Sequence, residues 1–347
     1  MPPRRFGPAR LVRVLLTLTV VLVAAMVTAL AFGDQPISPL QAIREPQGLD
    51  GTLLFRLRLP RVLQALLVGA ALAGTGAVLQ ALLRNPLAEP FVLGVSGGGA
   101  LGATLALAAG VVFVGEAVDG LPGFVAGVGA PGLFAFLGAM AVTFLLMGGV
   151  GRSGPGGTVT VLLTGVIFNA FAGAAITAIQ SLVSPERGRD IFRWLAGSLG
   201  HPSSAALISG ALLQTAALGV LLVLAGRLNL LSLGDEEAAS LGVPVTSTRR
   251  MLLIATSASV GGAVALSGMV GFVGLLVPHV LRRILGPDQR LLLPASILGG
   301  AAFLALADLA ARLLFPWTGT ELPVGVLTAL LGGPFFLFQL RRRAFHG

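Results

Sequence analysis

The sequence contains no cysteine and no lysine, and each absence excludes a class of chemistry. Without cysteine, the chain cannot form disulfides, bind a metal through thiolates or use a thiol as a nucleophile. Without lysine, it cannot carry a phosphate-binding P-loop, because the GK[ST] step of that loop needs a lysine to reach the phosphates. Any ATP hydrolysis that drives this chain must therefore take place in another polypeptide.

Histidine and charged residues are also scarce. The three histidines, His201, His279 and His346, lie too far apart in sequence for a local metal-binding motif. We therefore expect no metal site, no other cofactor and no catalytic residue. A net charge of +9 can indicate a nucleic-acid partner, but the arginines are scattered between apolar segments, so no nucleic acid is expected.

Long apolar segments make up most of the chain, which is 55% hydrophobic and has a mean hydropathy of +0.93. A helix needs about 20 mostly apolar residues to cross a bilayer, and barrel strands would alternate apolar and polar residues instead. We predict an all-α polytopic membrane protein with about ten transmembrane helices. The predicted spans are 11–32, 62–83, 91–114, 132–150, 159–183, 205–224, 251–266, 270–285, 291–311 and 324–340.

The first apolar run follows a basic arm at residues 1–10 and resembles a signal peptide in outline. It is longer than the usual apolar core of a signal, and no clear cleavage site follows, so we interpret it as a retained span. No segment between spans is long enough for a separate folded domain. We predict one transmembrane domain over residues 1–347, with a cytoplasmic coupling segment at about 232–245.

The distribution of arginine predicts the orientation of the chain, because cytoplasmic loops retain positive charge during insertion. With the N-terminus inside, fifteen of the 23 arginines flank the inner ends of the spans. These are Arg4, Arg5, Arg10, Arg13, Arg84, Arg152, Arg227, Arg249, Arg250, Arg282, Arg283, Arg290, Arg341, Arg342 and Arg343. We predict that both termini are cytoplasmic and that the protein lies in the cell (inner) membrane.

Glycine is abundant, with 49 residues, and small residues allow membrane helices to approach closely. Gly94, Gly98 and Gly102 are spaced by four and predict a small-residue stripe on one helix. The dinucleotide-binding pattern G-x-G-x-x-G occurs at 97–102, 127–132 and 149–154, but none of these follows a predicted strand. We interpret the three matches as chance in a glycine-rich chain.

Asp308 is the one acid well inside a predicted span, and Arg312 follows it four residues later on the same helical face. Since a buried charge is costly in a membrane, we predict a structural ion pair near the outer surface. Without a relay of carboxylates, a proton-driven carrier is disfavoured. An ion-coupled secondary transporter stays open as an alternative, and a structural membrane protein is less favoured because the inner loops are polar and shaped.

Two segments beside the second span carry further signals. Arg56, Arg58 and Arg61 lie at its outer end, where arginines either bind carboxylates of a docking protein or lie at the membrane interface. The inner segment RNPLAEP holds two prolines and must be a short, stiff turn. Such a turn suits a gate, and it equally suits an ordinary connector.

The inner segment LSLGDEEAASLGVPV is unusually polar for this chain. Its three acids favour a helix N-terminus, Gly242 favours a helix end, and Pro244 prevents continuation. We predict a short helix parallel to the membrane. It either transmits movement from a soluble motor or is a passive loop helix.

These segments resemble the iron-chelate and cobalamin permeases of binding-protein-dependent ABC importers. The matching segments include LRLPRVL, GAALAGTGAVLQALLRNPLAEPFVLGVSGGGALGA, WLAGSLG, LGDEEAASLGVPV, GMVGFVGLLVPHVLRR, LLLPASILGGAAFLALADLAAR and ELPVGVLTALLGGPFF, in the family's order and spacing. The resemblance implies the type II ABC importer permease fold, no enzyme activity in this chain, and a homodimer with the pathway along its two-fold axis. The implied partners are two ATP-binding subunits and a periplasmic or lipid-anchored substrate-binding protein. The implied substrate is a metal chelate, first an iron-siderophore, with cobalamin or haem as alternatives.

The resemblance also implies roles for individual residues. Arg58, Arg61 and Arg312 match outer arginines that engage acidic residues of the binding protein, whereas Arg56 falls outside the match. Asn85 and Leu87 match residues that narrow the cytoplasmic end of the pathway in cobalamin-type members. Contact with the ATPase is expected from Asp235, Glu236, Glu237, Leu241 and Gly242, and the pathway lining from Thr164, Asn169 and Thr177.

Overall fold

The computed structural model describes residues 7–33, 35–91, 93–111, 123–150 and 157–344, and every regular element in these ranges is helical. The helices are α1 (Pro8–Ala31), α2 (Pro39–Arg44), α3 (Leu49–Thr52), α4 (Leu59–Leu82), α5 (Val95–Ala108), α6 (Gly123–Val150), α7 (Gly157–Leu182), α8 (Pro185–Leu195), α9 (Ser204–Leu231), α10 (Asp235–Ser240), α11 (Val245–Ser267), α12 (Val273–Leu285), α13 (Gln289–Leu313), α14 (Phe315–Thr318) and α15 (Val324–Ala344). A π-helical segment, Leu53–Arg58, joins α3 to α4.

Seven stretches within the described residues are long and apolar enough to cross a membrane. They lie in α1, the continuous run from α3 to α4, α6, α7, α9, α11 and α13. Two shorter apolar helices, α5 and α15, and the 13-residue α12 account for the other predicted spans. The prediction of an all-α polytopic fold is confirmed. The arm at 1–6, the end of the third span beyond residue 111, and Arg152 lie outside the described residues.

Two spans are shorter than the sequence suggested, because the backbone changes direction just before each helix begins. Gly94 precedes α5 with a φ of +80°, so helix α5 starts at Val95 rather than at residue 91. Phe272 precedes α12 with a φ of +66°, and α12 starts at Val273 rather than at residue 270. A positive φ ends regular helix geometry for L-residues, and hydropathy carries no sign of it.

One end of the bundle collects the helix ends that were predicted to lie inside. Arg10 of α1 donates from Nη2 to the carbonyl oxygen of Leu285 at the end of α12, at 2.7 Å. Asn229 near the end of α9 donates from Nδ2 to Oδ1 of Asp288, which caps α13, at 2.6 Å. We call this end the predicted inner end.

The opposite end collects the helix ends that were predicted to lie outside, and we call it the predicted outer end. Arg312 of α13 donates from Nη2 to the carbonyl oxygen of Ala29 near the end of α1, at 2.9 Å. The backbone N–H of Ser198, after α8, donates to the carbonyl oxygen of Ser267 at the end of α11, at 2.9 Å. The contacts at both ends agree with the predicted alternation of spans.

Helix α4 lies at the centre of the bundle and is lined by small residues. It packs against α9, α11, α12 and α13. A Cβ atom on Gly69 would collide with the carbonyl group of Gly300 in α13, and one on Gly76 would collide with that of Gly274 in α12. At these two glycines the backbone of α4 therefore approaches the backbones of α13 and α12 closely.

The predicted glycine stripe of α5 is present in part. A Cβ on Gly98 would meet Gly138 of α6, and a Cβ on Gly102 would meet the backbone of Phe134, so these two glycines allow α5 and α6 to pack closely. Gly94 departs from the prediction, since it precedes the helix and faces Gly165 of α7 instead. Its positive φ explains why glycine is needed there.

Candidate functional site

The predicted pair of Asp308 and Arg312 is present at the predicted outer end, and Arg61 completes a buried charge cluster. Arg61 donates to Asp308 from Nε at 3.0 Å and from Nη2 at 2.7 Å. Arg312 donates from Nε to the other carboxylate oxygen of Asp308 at 3.1 Å. The carboxylate therefore lies between two guanidinium groups and joins the first turn of α4 to the last turn of α13.

Arg58 and Arg312 also hold the end of α1. Arg58 donates from Nη1 to the carbonyl oxygens of Leu30 at 3.0 Å and Ala31 at 3.1 Å, and from Nη2 to that of Gln35. Helix C-termini leave carbonyl groups without helical partners, and cations are favourable beside them. The two arginines thus cap α1 and fasten it to α4 and α13.

Arg58, Arg61 and Arg312 line a pocket of about 220 Å³ at the predicted outer end, which we call the outer pocket. Its other lining residues are Gln35, Leu53, Leu57, His201, Phe315 and Glu321. Arg58, Arg61 and Arg312 are only 5–8% exposed, so they do not extend from the surface as free docking groups. Glu321 is half-exposed and forms an ion pair with Arg61 at the pocket. Arg56 falls outside the family resemblance. It is exposed, whereas Arg58 and Arg61 beside it are buried.

The segment RNPLAEP at the predicted inner end forms the expected tight turn. Arg84 has a φ of +50°, and the backbone N–H of Asn85 donates to the carbonyl oxygen of Gln80 at 3.1 Å. The side-chain oxygen of Asn85 accepts from the N–H of Leu87 at 2.9 Å, which fixes the turn locally. Leu87 is 43% exposed. The structure brings the two predicted gate residues together, and their role as a gate stays a prediction.

Glu89, near the end of the segment RNPLAEP, is a buried carboxylate that the sequence analysis did not single out. Its Oε1 accepts from the backbone N–H of Phe272 at 2.6 Å, just before α12 begins. Burial raises the pKa of the Glu89 carboxyl to about 7, and the hydrogen bond from Phe272 opposes this rise. The only sequence signal for Glu89 is an acid among apolar residues and prolines.

Helix α10 confirms the short helix predicted at the inner end. Ala238 is buried against the bundle, while Glu236, Glu237 and Leu241 face outward, and Leu241 is 59% exposed. Gly242 ends the segment with a φ of +81°. An exposed leucine on a short polar helix is a suitable contact for another protein.

Asp235, the first residue of α10, binds two arginines from other parts of the chain. Its Oδ1 accepts from Nη2 of Arg84 at 2.9 Å and from Nη2 of Arg249 at 2.8 Å. Arg84 also donates to the carbonyl oxygen of Leu231 at 3.0 Å. The predicted gate and coupling segments are therefore in direct contact, which the sequence did not indicate.

The predicted pathway residues lie on α7, but they differ in their environment. Asn169 donates its side-chain amide to the carbonyl oxygen of Phe91 and so braces the start of α5. Thr177 is exposed and bonds the carbonyl oxygen of Gly173 at 2.9 Å, and Thr164 is half-buried. The structure does not join these residues to the gate or to the outer arginines.

No three His, Asp or Glu side chains come together as a metal site within the ranges that the structure describes. The side chains described above form ion pairs, cap helix ends and make packing contacts. The helical bundle has a buried charge cluster at its predicted outer end, and a tight turn joined to the short helix α10 at its predicted inner end.

Comparison with known proteins identifies the kind of permease. The FecCD transport family matches residues 19–342, and the chain belongs to this family. The hemin transport system permease protein HmuU of Yersinia pestis is 42% identical over 291 residues, which are 83% of each chain. The vitamin B12 import system permease protein BtuC of Klebsiella pneumoniae is 39% identical over 333 residues, 95% of this chain and 94% of that protein.

A solved structure agrees with the sequence relatives. An inward-facing conformation of a metal-chelate type ABC transporter is similar over 95% of this chain and 99% of that chain, with 31% identity and a TM-score of 0.80. The family predicted from the sequence motifs is thereby confirmed. The chain is a multi-pass membrane permease of the ABC importer class.

Proposed function

We propose that this chain is the permease subunit of an ATP-driven importer for an iron-siderophore or a related metal chelate. Residues 1–347 form one permease domain, which assembles with a second copy, two ATP-binding subunits and a substrate-binding protein. Both termini face the cytoplasm. ATP is hydrolysed in the partner subunits, and the lysine-free permease responds by changing shape.

The observation that carries the proposal is the open face of α7. Among the described residues this helix packs mainly against α5, α6 and α8, and its sequence contains no ionisable residue. Leu163, Ile167 and Phe171 are exposed along it, and Gly173 and Ala174 extend the face. Small and apolar residues suit both a close helix contact with a second copy and the passage of a bulky chelate.

The absence of cysteine makes this dimer directly testable, because any introduced thiol is the only one in the chain. Leu163→Cys and Ile167→Cys variants should form disulfide-linked dimers in membranes under mild oxidation. Val223→Cys, on the exposed side of α9, is the matched control and should stay monomeric. Equal cross-linking at all three positions would contradict a dimer built on α7.

The outer pocket supports a docking role through Glu321. This half-exposed carboxylate forms an ion pair with Arg61 on the solvent side, while the buried Asp308 forms an ion pair with Arg61 in the protein interior. A carboxylate of a binding protein can replace Glu321 without disturbing the buried pair. We expect Glu321→Gln to leave the fold intact and to alter the affinity for the binding protein, measured with purified components. Unchanged affinity in both Glu321→Gln and Arg61→Gln would remove the docking role.

The substrate is best tested in cells. A strain that lacks this permease should fail to grow on ferric siderophores as the iron source, and the wild-type gene should restore growth. A growth defect confined to cobalamin or haem would select one of the alternatives within the family. A Leu241→Glu variant should fail to restore growth, and full restoration would exclude Leu241 from the proposed ATPase contact.

An ion-coupled secondary transporter is the second candidate. The described long apolar helices contain two acids, Asp50 near the start of the run from α3 to α4 and Asp308 in α13. Only Asp308 of these two is buried, and it is held by Arg61 and Arg312. A carboxylate paired in this way is a poor proton carrier, because releasing it would leave two buried cations. The described residues therefore favour an external source of energy.

A further inference from the structure

We propose that Asp235, with Arg84 and Arg249, is the mechanical link that carries movement of the coupling helix α10 to the gate turn at Asn85–Leu87. The inference rests on the proposed function, because it assigns the connection between two segments whose roles are proposed there. Asp235 begins α10, and Arg84 comes directly before Asn85. One carboxylate oxygen of Asp235 joins both arginines, at 2.9 Å and 2.8 Å.

The backbone of Arg84 makes this contact sensitive to movement. Arg84 has a φ of +50°, a conformation that L-residues other than glycine, asparagine and aspartate rarely adopt. Its guanidinium donates to the carbonyl oxygen of Leu231 and to Asp235. Strained backbone persists only where surrounding contacts hold it, so a displacement of Asp235 releases the residue that sets the direction of the turn.

The other side of the turn is held separately. Glu89 accepts from the backbone N–H of Phe272 at 2.6 Å, which ties the turn to the start of α12. The segment from Arg84 to Glu89 is thus fixed to α10 at one side and to α12 at the other. Movement of α10 relative to α12 must then deform the turn between them, where Leu87 lies exposed.

Arg249 anchors Asp235 to the helical bundle. It belongs to α11, is largely buried, and meets the same oxygen of Asp235 that Arg84 meets. The side chains of Arg84 and Asp235 are 44% and 40% exposed. An exposed ion pair adds little to stability, so breaking the contact between Arg84 and Asp235 should leave the fold intact.

The test uses the whole complex reconstituted in liposomes with its ATPase and binding protein. In Arg84→Gln and Asp235→Asn, ATP hydrolysis should continue while uptake per ATP falls by at least about fivefold, as expected when the coupling between two sites is lost. Arg250→Gln removes the same charge as Arg84→Gln from an exposed neighbour of Arg249 and should keep the wild-type ratio. Unchanged uptake per ATP in both link variants would overturn the proposal.

A second measurement separates transmission from a merely structural role. Leu87→Cys in this cysteine-free chain reports the gate through its rate of thiol labelling, which should change when the ATPase is trapped with ATP and vanadate. The change should persist with Arg250→Gln and disappear with Asp235→Asn. Persistence with Asp235→Asn, or loss of ATPase binding in that variant, would overturn the link. Absence of ATP-dependent uptake by the wild-type complex would instead refute the proposed function.

Discussion

Neutralising Asp308 tests the outer charge cluster most severely. Its side chain is almost completely buried and accepts hydrogen bonds from Arg61 and Arg312. Asp308→Asn keeps the size of the side chain and removes its charge. Two buried guanidinium groups then lose their shared carboxylate, and Glu321 remains to pair with Arg61 alone.

The expected cost follows from burial. Removing one partner of a buried ion pair costs about 3–5 kcal/mol, because the remaining charge is uncompensated. An exposed pair is worth about 0–1 kcal/mol. Asp190 and Arg193 on α8 form such a pair, 3.8 Å apart and well exposed, so Asp190→Asn is the matched control.

The free energy of unfolding can be measured in mixed micelles by titrating a denaturing detergent and following helix content. We expect Asp308→Asn to lose about 3–5 kcal/mol and Asp190→Asn to lose less than about 1 kcal/mol. Equal losses in the two variants would show that the cluster does not hold α4 and α13 together. A double change of Asp308 and Arg312 to apolar residues should recover part of the loss.

Three further predictions concern separate parts of the chain. Gly76→Ala should lower the thermal midpoint, because its Cβ would collide with Gly274, whereas Gly219→Ala meets nothing nearby and should not. Burial raises the pKa of Glu89 to about 7, so the folded protein keeps a proton that the unfolded chain has released, and stability falls as the pH rises from about 4.5 to about 7. Glu89→Gln should remove roughly 3 kcal/mol of this pH dependence, measured as the difference from wild type at pH 5 and pH 8. Leu241→Glu should weaken binding of the purified ATPase subunit, and unchanged binding would exclude Leu241 from the contact.

The membrane fold was predictable because span length and apolar composition are local properties. Each of the ten apolar segments corresponds to a helix in the structure. Local chemistry also predicted the short helix α10, from its acids and its closing glycine. Helix α8 was missed because it is amphipathic and short, and hydropathy alone does not distinguish such a helix from a polar loop.

The sites were predictable only where partners are near in sequence. Asp308 and Arg312 are one helical turn apart, and their pairing follows from helix geometry. Arg61 lies 247 residues from Asp308, and Arg84 lies 151 residues from Asp235, so only tertiary packing brings these pairs together. Glu89 accepts a hydrogen bond from the backbone N–H of Phe272. The positive φ of Phe272 has no sequence signal either.

We propose that this chain is a conduit whose shape is changed by a separate ATPase. The direct test is uptake of labelled ferric siderophore into liposomes that contain the purified chain, first alone and then with its ATPase and binding protein. We expect no uphill uptake by the chain alone, under any ion gradient, and ATP-dependent uptake by the full complex. Accumulation against a concentration gradient by the chain alone would contradict it.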